Sequence, residues 1–295
     1  MATTQRTMDG RVVLVTGANS GIGKVTAAAL AQRGATVLMG ARNREKGEQA
    51  LRDVQAQSGS DKVQLVLGDV SSLASVRAMA ADVLQRAPRL DVLINNAGVM
   101  LGDPRMSADG YELTFATNHL GPFLLTQLLL DRLRASAPAR IINVSSMAHA
   151  TAFRGMRFND LQSSSRYGAM DAYGRSKLAN ILFTRELANR LRGSGVTANS
   201  LHPGLVATKF AGDGDAPGLY GWFYTALPFV MLTPEKGATA SIHLASSPDV
   251  ATVTGKFFVG RRPGWSAPWA HDNAAAVRLW EVSEELIGAK SDQRS

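Results

Sequence analysis

Cysteine is absent from the 295 residues, so disulfides, thiolate catalysis and the usual zinc sites are excluded by inventory. Long apolar runs are missing as well. None approaches the roughly 18 residues of a membrane span, and residues 1–9 lack the apolar core of a secretory signal. The expectation is a soluble, cytoplasmic protein with no transmembrane segment. Histidine is scarce: His119, His149, His202, His243 and His271 form no i, i+4 pair and have no carboxylate cluster beside them, so no metal site is expected. Acidic residues are outnumbered, 24 against 32 basic ones, which leaves a net charge of +8. The arginines are spread along the chain rather than gathered in a run or stripe, so the excess reads as a solvated surface or an attractor for an anionic cofactor, and nucleic acid is not an expected partner. Linkers, repeats and low-complexity blocks are absent too, and one domain over 1–295 with a core at about 10–260 follows.

What is present is alternation. Short apolar runs at residues 11–16, 36–39, 63–67, 90–94, 140–144, 196–201 and 256–259 read as strands. Helical patterns over 21–33, 44–58, 72–86, 108–135, 171–192 and 234–246 separate them. The predicted class is α/β: a single-domain, doubly wound, Rossmann-like parallel sheet of about seven strands with helices on both faces. In such a sheet ligands bind at the carboxyl ends of the strands, where the first turn, Asn95, Ser145-Ser146 and His202-Pro203-Gly204 all fall.

The first turn runs Thr16-Gly17-Ala18-Asn19-Ser20-Gly21-Ile22-Gly23, a Gly-x-x-x-Gly-x-Gly variant of the dinucleotide fingerprint between a strand and a helix. Gly17 permits a tight turn, Gly21 lets the backbone approach a pyrophosphate and Gly23 allows close helix packing at a positively polarised N-terminus. One more absence is informative. An NAD site usually carries an acid at the end of the second strand, but Met39-Gly40-Ala41-Arg42 has none. Arg42 offers a guanidinium for a phosphate instead, which favours NADP(H) over NAD(H).

Tyr173 and Lys177, four apart on a predicted helix, share one face, so the ammonium lies beside the phenol and favours its anion. Alone the pair means little. With the glycine turn, Asn95-Asn96-Ala97-Gly98, Gly68-Asp69-Val70, Thr117-Asn118-His119, Asn143-Val144-Ser145-Ser146 and Pro203-Gly204-Leu205-Val206-Ala207-Thr208 in this order, the chain resembles the short-chain dehydrogenase/reductase family. It is most similar to the retinol dehydrogenase group and its WW-domain oxidoreductase relatives. The resemblance implies Tyr173 as general acid/base, Ser146 as hydrogen-bond donor to the substrate oxygen with Ser145 as its rival, Lys177 also at the nicotinamide ribose, and Asn118 in a water link to the lysine. It further implies cofactor contacts from Gly17, Asn19, Ser20, Gly21, Ile22 and Gly23, from Asp69 and Val70 at the adenine, and from Asn95, Ala97 and Gly98 at the adenosine ribose. Pro203, Gly204, Val206 and Thr208 would meet the nicotinamide amide.

Between Ser146 and Tyr173 the spacing is about twice that of many family members, as in retinol dehydrogenase-like ones; residues 151–170 either shape the entrance or make a surface excursion. Residues 208–233 hold Phe210, Tyr220, Trp222, Phe223, Tyr224 and Phe229, and the resemblance makes this stretch a lid. An apolar lid implies a hydrophobic alcohol, aldehyde or ketone, with a membrane-surface patch as the competing reading. Trp265 and Trp269 lie in a tail, about 261–295, that covers either the core or a partner subunit. Family members pair through their two long helices as homodimers or homotetramers. Alternatives for the whole are a protochlorophyllide reductase-like enzyme, against which the missing cysteine counts, and a nucleotide-sensing regulator or scaffold, against which the retained tyrosine and lysine count.

Overall fold

The computed structural model describes residues 7–205 and 232–288. Apolar runs too short for helices become strands β1 (Val12–Thr16), β2 (Thr36–Ala41), β3 (Val63–Leu67), β4 (Val92–Asn95), β5 (Ala139–Val144), β6 (Val196–His202), β7 (Phe257–Val259) and β8 (Arg262–Pro263). They form one sheet in the order β3-β2-β1-β4-β5-β6-β7-β8, in which only the β7–β8 pair is antiparallel. Seven parallel strands match the expectation. The eighth, two residues returning along β7, is too short for sequence periodicity to signal.

Consecutive strand residues face opposite sides, and the core divides accordingly. Leu14, Leu38, Leu93 and Ile141 join one buried cluster, while Val13, Val37, Val92 and Ile142 join the other. On the first side lie helices α3 (Leu73–Arg86), α5 (Gly121–Ala135) and α6 (Ala169–Arg190); on the second lie α1 (Gly21–Gln32), α2 (Arg44–Ser58) and α7 (Pro234–Ser246). Asn43, Ser72 and Thr233 cap α2, α3 and α7 by accepting a backbone N–H three residues on.

The structure corrects one helix start. The helix expected over 108–135 begins later: Ser107 to Gly110 is a turn, α4 (Leu113–Phe115) is a single turn, and a π turn (Ala116–Leu120) leads into α5. Glu112 sets that start, its buried carboxylate accepting the backbone N–H groups of Thr114 and Phe115 at 2.8 and 2.7 Å. Within the C-terminal tail, Asp272 caps helix α8 (Asn273–Leu286). Trp280 of α8 packs against Phe123 and Phe183 with ring centroids 5.0 and 5.8 Å away, so part of the tail covers the domain's own core.

Candidate active site

The glycine turn is held from behind by β4. Asn96 donates its amide to the carbonyls of Thr16 (2.8 Å) and Gly17 (3.3 Å), while the backbone N–H groups of Asn96 and Ala97 donate to the Thr16 hydroxyl. Space is so short that a Cβ on Gly17 would lie 2.9 Å from the Ala97 Cα, and one on Gly23 would collide with the Gly17 carbonyl. Gly17 and Gly21 adopt φ of +65° and +51°, the left-handed region that suits glycine. Ser20 precedes α1 in extended conformation without a capping side-chain bond, and the first turn of α1 carries no acid. A polarised helix N-terminus behind a glycine-rich turn fits a dinucleotide pyrophosphate. Asn19 and Ile22 flank it, half-buried.

Arg42 follows β2 with its guanidinium well exposed, 3.8 Å from the Asp69 carboxylate beyond β3. Ser71 orients that carboxylate, donating to it from both backbone (2.9 Å) and hydroxyl (2.7 Å). Beside it, Gly121 lets α5 approach the Val70 carbonyl, which any Cβ there would strike. The Asn95 side chain points into the core instead of the cleft. It donates to Thr126 Oγ1 (3.0 Å) and Asn143 Oδ1 (2.8 Å), and Asn143 in turn donates to Thr184 of α6. Any contact from Asn95 to a cofactor would therefore have to come from its backbone.

Across the cleft, α6 carries Tyr173 and Lys177 on one face, with Lys177 Nζ 5.4 Å from the phenol ring centroid. The lysine is only 2% exposed, and its Nζ donates to the Val144 carbonyl at 3.1 Å. Burial pushes its pKa down from 10.5 to about 7. The two neighbouring serines separate cleanly. Ser145 is buried and donates to the Lys177 carbonyl at 2.6 Å, whereas the half-buried Ser146 accepts from the Ala148 N–H at 3.1 Å and keeps its own proton for another partner. The turn after Ser146 (Met147–Thr151) sits directly on α6: a Cβ on Gly174 would lie 2.7 Å from the Ala148 carbonyl. Ser146 and Tyr173 are thereby set on two surfaces in direct contact.

Asn118 lies in the π turn, fully buried. Its amide exchanges two hydrogen bonds with the Val99 backbone (2.8 and 2.9 Å) and donates to Ser176 Oγ (2.9 Å), tying the Gly98 loop to α6. With the side chain committed, any link to water would have to come from the main chain, in a widened turn of the kind found at functional sites. Gly98 lies directly above, where a Cβ would come within 3.2 Å of Lys177 Nζ. Pro203 and Gly204 follow β6, Gly204 at φ +93°. Val206, Thr208 and the expected lid up to residue 231 lie outside the described residues.

The profile of the short chain dehydrogenase family matches residues 11–216. Human retinol dehydrogenase 11 is 44% identical over 285 residues, covering 97% of this chain and 88% of that protein. Bovine retinol dehydrogenase 12 is 46% identical, with 95% and 87% covered. Among solved structures, an uncharacterised protein of Mycobacterium paratuberculosis is 37% identical with a TM-score of 0.76, covering 95% and 94% of the two chains. The complex of Pseudomonas aeruginosa RhlG with NADP is 30% identical with a TM-score of 0.69, covering 88% and 97%. The chain belongs to the short-chain dehydrogenase/reductase family. It is an NAD(P)-dependent oxidoreductase.

In this dehydrogenase the long segment between Ser146 and Tyr173 is anchored at several points. Arg175 of α6 donates to Ser163 Oγ (2.7 Å) and pairs with Asp171 (2.6 Å); Arg157 also reaches Asp171 (3.5 Å). Gln162 accepts from the Glu112 N–H, Tyr167 donates to the Leu101 carbonyl, and Phe158 lies under the Arg278 guanidinium of α8. The segment thus joins α6 to the loop before α4 and to the C-terminal helix. Sequence reasoning missed Asn96 and Arg175 as supports. For Asn96 a signal existed: at the end of a strand, adjacent side chains face opposite ways, so one asparagine of Asn95-Asn96 had to turn from the core. No three metal-ligating side chains converge among the described residues, and no described helix is long and apolar enough to cross a membrane.

Proposed function

We propose that this dehydrogenase interconverts a lipophilic alcohol with its aldehyde or ketone, using NADP(H), with Tyr173 as the general acid/base. The observation that carries the reading is the buried Lys177 ammonium beside Tyr173, on a helix packed against the turn that follows Ser146, while the neighbouring Ser145 is already committed to the fold. The nicotinamide, when bound, supplies or accepts the hydride. In reduction Tyr173 donates its phenolic proton to the substrate oxygen; in oxidation it removes the hydroxyl proton. Ser146 donates a hydrogen bond to the same oxygen and stabilises the charge that builds there. Lys177, when protonated, lowers the cost of the phenolate that Tyr173 becomes.

The exposed Arg42 guanidinium supports NADP(H), because it can pair with a phosphate that NAD(H) lacks. The names of the retinol dehydrogenase relatives and the aromatic stretch in residues 208–233 support a lipophilic substrate. The long helices α5 and α6 are the surfaces proposed for pairing into homodimers or homotetramers, which light scattering would test. The function is tested by following nicotinamide absorbance with NADPH and NADH against lipophilic aldehydes and ketones, with Tyr173→Phe as control. Turnover that prefers NADPH and vanishes in the variant is expected. Tight NADPH binding with no turnover on any substrate would overturn the proposal in favour of a nucleotide-sensing role.

A further inference from the structure

The peptide group between Ser146 and Met147 is held at both ends by imidazoles. Its carbonyl accepts from His149 Nδ1 at 2.7 Å, and its N–H donates to His202 Nδ1 at 3.3 Å. His149 is fully buried, and its second nitrogen accepts the Ala267 N–H at 2.9 Å. A nitrogen that faces an N–H must carry a lone pair, and one that faces a carbonyl must carry the proton, so His149 is neutral with its hydrogen on Nδ1. By the same logic a neutral His202 carries its hydrogen on Nε2. The His149 ring lies edge-on to Phe257 at 5.1 Å, and its own carbonyl accepts from Trp269 Nε1 at 3.1 Å.

We infer that His149 and His202 form a clamp that fixes the Ser146–Met147 peptide plane and so aims the Ser146 hydroxyl, making His149 a positioning residue that acts through Ser146. Rotating that plane would break bonds on both sides and carry away the Ala148 N–H that holds Ser146 Oγ at 3.1 Å, so with the plane fixed the hydroxyl keeps one direction relative to α6. The clamp also connects Ser146 with residues 265–269 on one side and, through His202, with the Pro203–Gly204 turn on the other. Burial holds both imidazoles below their usual pKa, His202 at about 4, which keeps them in the neutral forms the clamp needs.

The inference rests on the proposed role of Ser146, and two measurements separate the two claims. Nitrogen-15 NMR of the full chain reads the tautomers without turnover. The expected result is Nδ1–H for His149 and Nε2–H for His202, and the opposite tautomer at His149 would overturn the clamp. Kinetics then tests positioning. His149→Phe keeps the ring shape and removes both nitrogens, and a misaimed catalytic group costs up to about 10²-fold in kcat. NADPH affinity should stay within about twofold, and His149→Asn, which can still donate to the Ser146 carbonyl, should recover part of the rate. In a Ser146→Ala background, His149→Phe should cost less than about twofold, since two residues acting as one unit are not additive. Losses that multiply would overturn the positioning role. A fully active Ser146→Ala would overturn the reading of Ser146 itself, whatever the tautomers.

Discussion

The two sides of the cleft are built differently. On the β1–β4 side, the cradle consists of backbone and missing side chains: Gly17, Gly21 and Gly23, held by Thr16, Asn96 and the Ala97 N–H. On the β5–β6 side, buried side chains from distant parts of the chain hold one another: Lys177 on Val144, Ser145 on Lys177, His149 on Ser146 and Ala267, Asn118 on Ser176. A site that must receive phosphates needs N–H groups and room, which glycine spacing encodes locally. A site that must move a proton needs groups held at chosen orientation and charge, which takes a network.

The sharpest test of that contrast is Tyr173→Phe. It should lower kcat by about 10²- to 10⁴-fold while NADPH binding, read by fluorescence, persists. Loss of binding as well would mean that the two sides are not separable.

Arg42→Ala tests the other side. Losing a charged hydrogen bond costs about 1.5–3 kcal/mol, so NADPH affinity should fall roughly 10- to 10²-fold with NADH unchanged. Equal losses for both cofactors would break the assignment of Arg42. Thermal stability should not move, because its exposed pair with Asp69 at 3.8 Å contributes little.

Lys177 gives a pH signature confined to the reacting side. Its pKa is lowered to about 7 in the fold and is near 10.5 when unfolded. Between those values the unfolded chain binds more protons, so stability from this group is complete above about pH 10.5 and is lost as pH falls through about 7. Lys177→Met should flatten the rise in Tm between pH 7 and 10, as scanning calorimetry at several pH values would record. An unchanged slope would show the ammonium to be better solvated than its burial indicates.

Asn96→Ala is expected to have the smallest effect. It leaves the Thr16 and Gly17 carbonyls without their donor and should cost about 1–2 kcal/mol of stability, with weaker binding of both NADPH and NADH. Equilibrium urea unfolding measures the first and titration the second.

Much of the fold was legible because strand and helix periods are local. The boundaries of β3, α2 and α7 agree residue for residue, and Gly17, Gly21 and Gly23 fall where their spacing puts them. The late start of the helix before Asn118 was not legible, because Glu112 caps it through a carboxylate buried under residues far along the chain. Helix α8 was hidden by composition: a tail rich in glycine and proline at its start turns helical after Asp272, where Trp280 finds Phe123 and Phe183.

By itself, then, the sequence determined the α/β class, the dinucleotide turn and the residue types of a proton-transfer pair, since each depends on spacing within a few turns or strands. Only the tertiary structure decided which way each of two adjacent polar side chains turns and what it binds. Asn95 against Asn96, and Ser145 against Ser146, differ in which way a strand end turns and in partners 31 to 80 positions away. A polar side chain can satisfy the core or face the cleft, and the competition is settled by hydrogen bonds that exist only once the sheet and its helices are assembled.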